Sequence, residues 1–159
     1  MLQRTTTLSK IAKMKKRIRV IAGSQGAGKT FSILLLIINH CSGKSNKRCM
    51  IVSQELAKMR TNVIPDFLTL MKSASIFDSV RWNSTECVYT FPNGSNIRFY
   101  GANKDDAGKG TRLDILFVNE ANKITFEAYR ELSSRSSNIY IDYNPNIYCW
   151  IDSQVIPRS

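Results

Sequence analysis

The stretch VIAGSQGAGKTFSILLLI, residues 20–37, joins two apolar runs through a loop of small residues. The first run is rich in β-branched residues and predicts a strand, whereas Thr30–Cys41 predicts a buried helix of about three turns. Between them, Gly23–Thr30 fits the pattern G-x-x-x-x-G-K-[ST], after a strand and before a helix as the pattern requires. The sequence therefore predicts a phosphate-binding loop.

The residue types of this loop suit an anionic ligand. Glycines allow positive φ angles, so that successive backbone N–H groups and the start of the following helix can point at a phosphate. Lys29 would neutralise the β- and γ-phosphates, and the Thr30 hydroxyl would coordinate Mg²⁺. The predicted nucleotide-binding residues are Gly23, Ser24, Gln25, Gly26, Ala27, Gly28, Lys29 and Thr30.

A later apolar strand, predicted over Leu113–Glu120, ends in polar residues. Glu120 is suited to orient or deprotonate a water molecule, which an ATP-hydrolysing enzyme needs and a phosphotransferase does not need there. Asn119 stands where such strands usually carry Asp. Its amide oxygen can accept a hydrogen bond from a metal-bound water, and we predict a metal contact there, but it brings no charge. Asp114 or Asp142 could compensate. The alternative interpretation of Glu120 is a helix N-terminal cap.

A third polar strand end is predicted in YIDYNPN, residues 140–146. Asn144 would lie beside the nucleotide if this strand neighbours the other two, and it could then sense the γ-phosphate. Taken alone, Asn144-Pro145 indicates only a turn.

Strand and helix patterns alternate along the chain, which predicts an α/β fold with a mostly parallel central sheet flanked by helices. Pro65 predicts a break near Ile64 in a helical segment over residues 55–72. Pro92–Ser95 lies between two strand-like runs and predicts an inserted β-hairpin. We expect a basic lead-in over residues 1–16 and one domain over residues 17–159.

The charge balance of the 159-residue chain is unusual, with 23 Lys and Arg against 12 Asp and Glu and a net charge of +11. This excess favours a polyanionic partner, nucleic acid before an anionic membrane. The apolar run after the loop is too short for a bilayer span, so we expect a soluble protein. The four cysteines and one histidine lack zinc spacing and predict reduced core thiols.

Two basic segments are candidates for contact with nucleic acid. The second segment is GKSNKR, residues 43–48, and the first contains Lys10, Lys13, Lys15, Lys16, Arg17 and Arg19. If all six side chains of the first segment contacted DNA phosphates, the logarithm of the binding constant would fall with the logarithm of the salt concentration with a slope of roughly −5.

Three motifs in this order, the phosphate loop, FVNEAN (117–122) and DYNPN (142–146) followed by Trp150, resemble the ATPase domain of the large terminase subunit. That family is the motor that packages DNA into the capsids of tailed phages. The resemblance covers roughly residues 17–156. It implies a P-loop NTPase of the additional-strand, catalytic-glutamate type that uses ATP and Mg²⁺.

The resemblance also implies roles for residues. Glu120 would be the catalytic carboxylate, Lys29 and Thr30 the phosphate and metal ligands, and Asn144 part of the motif that couples hydrolysis to movement. Many members carry Arg within the loop where this chain has Gln25. An arginine-finger role therefore falls elsewhere, and our candidates are Lys109 and Arg112, acting on a neighbouring subunit or, alternatively, solvated loop charges.

The resemblance implies sequence-independent binding of double-stranded DNA, a portal protein and a small terminase subunit as partners, and a homo-oligomeric ring in the host cytoplasm, with no membrane. An isolated fragment could be a monomer. Large terminases also carry a C-terminal nuclease, for which a chain ending at Ser159 has no room, so we expect a truncated ATPase domain. The alternatives are a nucleotide- and nucleic-acid-binding module without efficient hydrolysis, and a P-loop phosphotransferase.

Overall fold

A computed structural model describes residues 6–23, 28–103 and 110–156. The described helices are α1 (Thr6–Ala12), α2 (Lys29–Gly43), α3 (Leu56–Met59), α4 (Val63–Ser73) and α5 (Phe126–Ser133). The strands are β1 (Ile18–Ala22), β2 (Arg48–Ser53), β3 (Trp82–Asn83), β4 (Val88–Thr90), β5 (Asn96–Gly101), β6 (Leu113–Val118) and β7 (Ser136–Tyr143). Single turns of 3₁₀-helix cover Ser79–Arg81 and Ala121–Lys123, and a π-helical turn covers Ile151–Val155.

The described strands form one seven-stranded sheet in the order β1-β7-β6-β2-β5-β4-β3. The pairs from β1 to β5 are parallel, whereas β4 and β3 continue the sheet in antiparallel pairs. β7 lies between β1, which leads into the phosphate loop, and β6, which ends before Glu120. The predicted mostly parallel α/β sheet is confirmed, and β7 is its additional strand. Because the neighbouring strands are parallel, their carboxyl ends meet at one edge of the sheet.

Apolar side chains cover both faces of the central strands, as expected for a parallel sheet buried between helices. On one face, Phe117 of β6 and Tyr140 of β7 pack in a core cluster with Ile37 of α2 and Phe67 of α4. On the opposite face, Ile141 of β7 packs in a second cluster with residues of β6 and α5. Successive residues of a strand therefore point to different cores, which fixes the side on which each strand-end side chain lies.

The predicted helix break lies before Pro65. α3 ends at Met59 and α4 begins at Val63, so Pro65 is in the first turn of α4. A first-turn residue has no N–H partner within its helix, so proline is tolerated there. Asn62 caps α4 by accepting a hydrogen bond from the backbone N–H of Val63.

The predicted hairpin is present, and it belongs to the central sheet. β4 and β5 are antiparallel partners on either side of the turn, but β5 also pairs in parallel with β2 over its full length. Buried Tyr89 and Phe91 anchor the hairpin in the core beneath α4. What the sequence suggests as an insertion thus forms the outer half of the sheet.

The basic first segment contributes to the core. α1 buries Leu8 and Ile11, with Ile11 packing in the cluster that contains α2. Arg17 and Arg19 also have structural partners: the Arg17 guanidinium donates hydrogen bonds to the carbonyl of Ser136, and that of Arg19 donates to the Tyr140 hydroxyl at 2.8 Å. The boundary between lead-in and domain at residue 16 stays a prediction.

Two further findings concern the cysteines and the membrane. All four cysteines are free thiols, and Cys41, Cys49 and Cys87 are buried. Among the described residues, no helix has the length and apolar character needed to cross a membrane.

Candidate nucleotide-binding site

A cavity of about 710 Å³ opens at the carboxyl edge of the parallel strands. Its walls come from the start of α2, the first turn of α4, and the segments that follow β6 and β7. All of the described residues predicted for the site line it, with the exception of Arg112. They are Gly23, Gly28, Lys29, Thr30, Asn119, Glu120 and Asn144.

The described ends of the phosphate loop have the expected geometry. Gly28, at the N-cap of α2, has φ 73° and ψ 10°, a left-handed conformation that glycine adopts without strain. The Lys29 ammonium group donates a hydrogen bond to the Gly23 carbonyl at 2.5 Å, which joins the two described ends of the loop. A Cβ atom at Gly23 would lie 3.3 Å from Lys29 Cδ, which leaves little room for a side chain there. The predicted ligands Ser24, Gln25, Gly26 and Ala27 lie outside the described residues.

At the end of β6, Asn119 is 3% exposed, and its backbone N–H donates to the Val52 carbonyl at 2.8 Å. Glu120 follows in a left-handed conformation, with φ 50° and ψ 55°. A non-glycine residue in this conformation is strained, and such strain is concentrated at functional sites. Glu120 Oε1 lies 3.5 Å from Lys123 Nζ in a partly exposed ion pair.

Of the two aspartates that could compensate for Asn119, Asp142 and not Asp114 lies at this edge. It is 4% exposed, its Oδ1 accepts the Glu120 backbone N–H at 2.5 Å, and its Oδ2 accepts the Thr30 hydroxyl at 3.4 Å. Burial raises the pKa of Asp142 to about 6, against the opposing effects of the Glu120 N–H and the Lys29 charge. Asp114 lies at the amino end of β6, where it accepts the Arg48 backbone N–H at 2.8 Å.

The segments after β6 and β7 contact each other at the cavity. The Asn144 backbone N–H donates to Asn122 Oδ1 at 3.4 Å, and Asn144 Oδ1 accepts the Asn146 backbone N–H at 3.0 Å. Farther from the cavity, Trp150 Nε1 donates to the Ile124 carbonyl at 2.7 Å. The NEAN and DYNPN motifs therefore form one wall, which the separate sequence patterns do not reveal.

Arg112 is not close to this cavity. It precedes β6 at the amino edge of the sheet, and its guanidinium donates to the Ser137 hydroxyl at 3.2 Å. The six residues of β6 span about 20 Å, so Arg112 cannot reach the cavity of its own subunit. Lys109 lies outside the described residues. Action on a neighbouring subunit stays a prediction for both residues.

The cavity also has lining residues that the sequence did not indicate. Phe31 follows the phosphate loop, while Asn62, Val63 and Asp66 come from the first turn of α4. No local pattern marks these α4 residues, because only the packing of α4 beside α2 brings them to the site. Asn122, in contrast, lies within a motif that was already singled out.

A strand, a glycine loop and a helix at the sheet edge, with an additional strand between β1 and β6, define a P-loop NTPase fold. A family model described as phage terminase large subunit matches residues 15–155. The chain belongs to that family, which confirms the resemblance found in the sequence motifs.

Solved structures of large terminases share the fold. The large terminase of a thermophilic bacteriophage superposes with a TM-score of 0.82 at 15% identity, covering 99% of this chain and 43% of that one. A structure of the same large terminase in complex with ATP-γ-S gives 0.77 at 17% identity, covering 96% of this chain and 40% of that one. The large terminase ATPase domain of Thermus phage P74-26 gives a TM-score of 0.74 at 15% identity, covering 95% of this chain and 68% of the domain.

The chain thus spans less than half the length of the large terminase from the thermophilic bacteriophage. No curated protein matches it in a sequence search.

Proposed function

We propose that this chain is the ATP-hydrolysing part of a DNA-packaging motor, which moves double-stranded viral DNA into a procapsid. The observation that carries the proposal is one cavity lined by Lys29 and Thr30 after β1 and by Glu120 after β6, with β7 between the two strands. A nucleotide bound at the loop would have its terminal phosphate near the carboxylate that hydrolysis requires.

Each residue then has a defined task. Backbone N–H groups of Gly23–Thr30 and the start of α2 cradle the phosphates, and Lys29 balances their charge. Glu120 accepts a proton from the attacking water, or orients that water through a hydrogen bond. Asn144, at the end of β7, responds to the presence of the γ-phosphate and transmits the change through its contact with Asn122.

The donor atoms at the cavity suit Mg²⁺. The described residues contain no group of three or more His, Cys, Asp or Glu side chains that could enclose a metal ion. Mg²⁺ does not need such a group of side chains. It keeps several water ligands, and one or two protein oxygens hold it together with oxygens of the substrate phosphates. The Thr30 hydroxyl and the carbonyl oxygen of the Asn119 amide are the proposed protein donors, since both residues line the cavity. When bound, the ion offsets negative charge on the phosphates during hydrolysis.

ATP as the nucleotide is supported by the relatives. Structures of the large terminase from the thermophilic bacteriophage are described with ADP and with ATP-γ-S. We extend that ligand class to this chain because it has the same fold and belongs to the same family.

The proposed partners follow from the family and from charge. A net charge of +11 supports sequence-independent contact with DNA phosphates. A portal protein, a small terminase subunit and a homo-oligomeric ring in the host cytoplasm complete the proposed assembly. Within such a ring, Lys109 or Arg112 would act on the nucleotide of the neighbouring subunit.

One observation favours a second candidate function. Asn119 stands where an aspartate usually precedes the catalytic glutamate, so the site lacks that carboxylate. The chain could then bind nucleotide and nucleic acid without hydrolysis. A phosphotransferase has no comparable support, because Glu120 is suited to activating water.

The decisive experiment is Mg²⁺-dependent ATP turnover by the purified chain, with and without double-stranded DNA of arbitrary sequence. The motor proposal predicts turnover that DNA stimulates and that Glu120→Gln abolishes. Nucleotide binding without turnover, even when subunits are crowded on DNA, would instead support the binding module.

A further inference from the structure

The carboxyl ends of two neighbouring strands differ in charge: β6 is followed by an uncharged amide, whereas β7 carries an aspartate near its end. In the sheet register, Val118 of β6 is opposite Ile141 of β7, and Ile21 of β1 is opposite Asp142. Asn119 and Asp142 are therefore the next neighbours at the carboxyl edge. The carboxylate is on β7, and the amide is on β6.

The two side chains lie on the same side of the sheet. Phe117 and Tyr140 both pack in the core that contains α2, and side chains alternate along a strand. Asn119 and Asp142, two residues farther on, therefore face the start of α2. On that side the Thr30 hydroxyl donates to Asp142, and Asn119 lines the same cavity as Thr30.

The contacts of Asp142 use its two oxygens differently. Oδ1 accepts the backbone N–H of Glu120, which ties the end of β6 to β7. Oδ2 lies 3.4 Å from the Thr30 hydroxyl, and both Asp142 and Lys29 line the cavity. An amide oxygen could accept the Glu120 N–H equally well, so that contact alone does not require a charged group. The contact with Thr30, itself a proposed metal donor, places the Asp142 carboxyl group at the proposed ion site.

We propose that Asp142 is the carboxylate of the Mg²⁺ site and that it performs, from β7, the task that Asn119 cannot perform from β6. This inference rests on the proposed function, because it assumes a Mg²⁺–nucleotide at the phosphate loop. It assigns Asp142 to supplying the negative charge that holds the ion beside Thr30, while the Asn119 amide supplies an uncharged oxygen.

The affinity of Mn²⁺, used as a probe for Mg²⁺, for the protein–ADP complex tests this directly. It is measured from the electron paramagnetic resonance signal of free Mn²⁺, with protein in excess over ADP. Asp142→Asn should weaken Mn²⁺ binding by about 10- to 100-fold, the usual effect of removing a group that supports a metal site. The matched control is Asp114→Asn, which removes a carboxylate at the far edge of the sheet and should leave Mn²⁺ affinity unchanged.

A swap of the two residues separates a metal role from a structural one. The double variant Asn119→Asp/Asp142→Asn returns the carboxylate to β6 and should restore most of the Mn²⁺ affinity. Thermal unfolding checks that each variant is folded. Unchanged Mn²⁺ affinity in folded Asp142→Asn would overturn the inference, as would a loss that the swap does not restore.

A measurement without a change at position 142 covers the case in which Asp142→Asn does not fold. Asp66, the other described aspartate at the cavity, is replaced by Asn, and the remaining aspartates are labelled with ¹³C at the carboxyl carbon. Electron–nuclear double resonance on the Mn²⁺–ADP complex should then detect a nearby aspartate carbon. No such coupling would overturn the inference while leaving the nucleotide site intact. If the wild-type chain bound no ADP at all, the proposed function itself would fail, and the inference with it.

Discussion

The carboxyl group of Asp142 is almost completely buried, and this has a consequence for stability. Because burial raises its pKa from 3.8 to about 6, the protonated form is favoured in the folded chain. Its contribution to folding is fully present below pH 4 and is lost as the pH rises through 6. We predict a decrease in the free energy of unfolding of up to about 3 kcal/mol over this interval, without nucleotide or metal.

Denaturant unfolding at a series of pH values measures this effect. Asp142→Asn should flatten the pH dependence between 4 and 6, because the amide does not titrate. Wild-type and variant curves that stay parallel across the interval would mean that burial does not raise the pKa of Asp142 above its value in the unfolded chain.

Glu120 has a strained backbone conformation and a charged side chain, and a substitution can change the charge while keeping the backbone conformation. Glu120→Gln keeps the side-chain size and the backbone N–H to Asp142, so ADP affinity should stay within about threefold. ATP turnover should fall by about 10²- to 10⁴-fold, because an amide cannot act as a general base. Calorimetric titration and a phosphate-release assay measure the two quantities, and normal turnover would mean that another group is the base.

At the scale of elements, the end of β5 packs closely against the start of α3. A Cβ atom at Gly101 would lie 2.7 Å from the Leu56 backbone nitrogen and 2.8 Å from Asn103 Oδ1. Since the nitrogen belongs to the backbone, Gly101→Ala should force the two elements apart and reduce the free energy of unfolding by about 1–3 kcal/mol.

Gly43 provides the matched control, because a Cβ atom there has no neighbour within 4 Å and the residue is the last of α2. Gly43→Ala should be neutral or should stabilise the chain by up to about 1 kcal/mol. Equal effects of the two substitutions in denaturant unfolding would contradict the close packing of β5 and α3.

The elements also show what sequence patterns can and cannot predict. The central strand β6 is a continuous apolar run and was predicted to within two residues. The strand order was not available from local patterns, because parallel pairing joins distant segments. For that reason the sequence offered Asp114 and Asp142 equally as compensation for the missing charge at Asn119. The sheet shows that the two aspartates lie at opposite edges, about the length of β6 apart.

The residues of the candidate site also include some that local sequence patterns predict and others that only the three-dimensional packing reveals. Lys29, Thr30 and Glu120 could be predicted, since each follows a recognisable strand and parallel strands end at one edge. Asp66 and Asn62 could not, because they reach the cavity through helix packing. The position of Arg112 at the opposite edge could have been inferred in the same way, because it directly precedes the strand predicted over Leu113–Glu120.

At the scale of the whole molecule, the basic excess is only partly available to a polyanion. The guanidinium groups of Arg17 and Arg19 donate hydrogen bonds to residues of β7. The side chains of Lys10, Lys13, Lys15 and Lys16, in contrast, are exposed. Replacing these four lysines with Gln should weaken DNA binding and reduce the log–log salt slope by about 3.6. Fluorescence anisotropy with DNA of arbitrary sequence, at several salt concentrations, measures the slope.

The substitutions are preferable to deletion of residues 1–16, because that deletion removes the buried side chains of Leu8 and Ile11. ADP affinity should stay unchanged in the four-lysine variant, as these side chains do not line the cavity. An unchanged salt slope would show that DNA contacts another surface, such as the loop around Lys44.

The central claim is that the cavity at the carboxyl edge binds a nucleotide through Lys29. Calorimetric titration of the wild-type chain with ADP and Mg²⁺ tests it most directly, with Lys29→Ala as the test variant and Lys47→Ala, at the opposite edge, as the control. We predict one bound ADP per chain, with affinity lowered about 10- to 100-fold by Lys29→Ala, since a charge-assisted hydrogen bond contributes about 1.5–3 kcal/mol. Equal ADP affinity in wild type and Lys29→Ala, or no binding in either, would contradict the account.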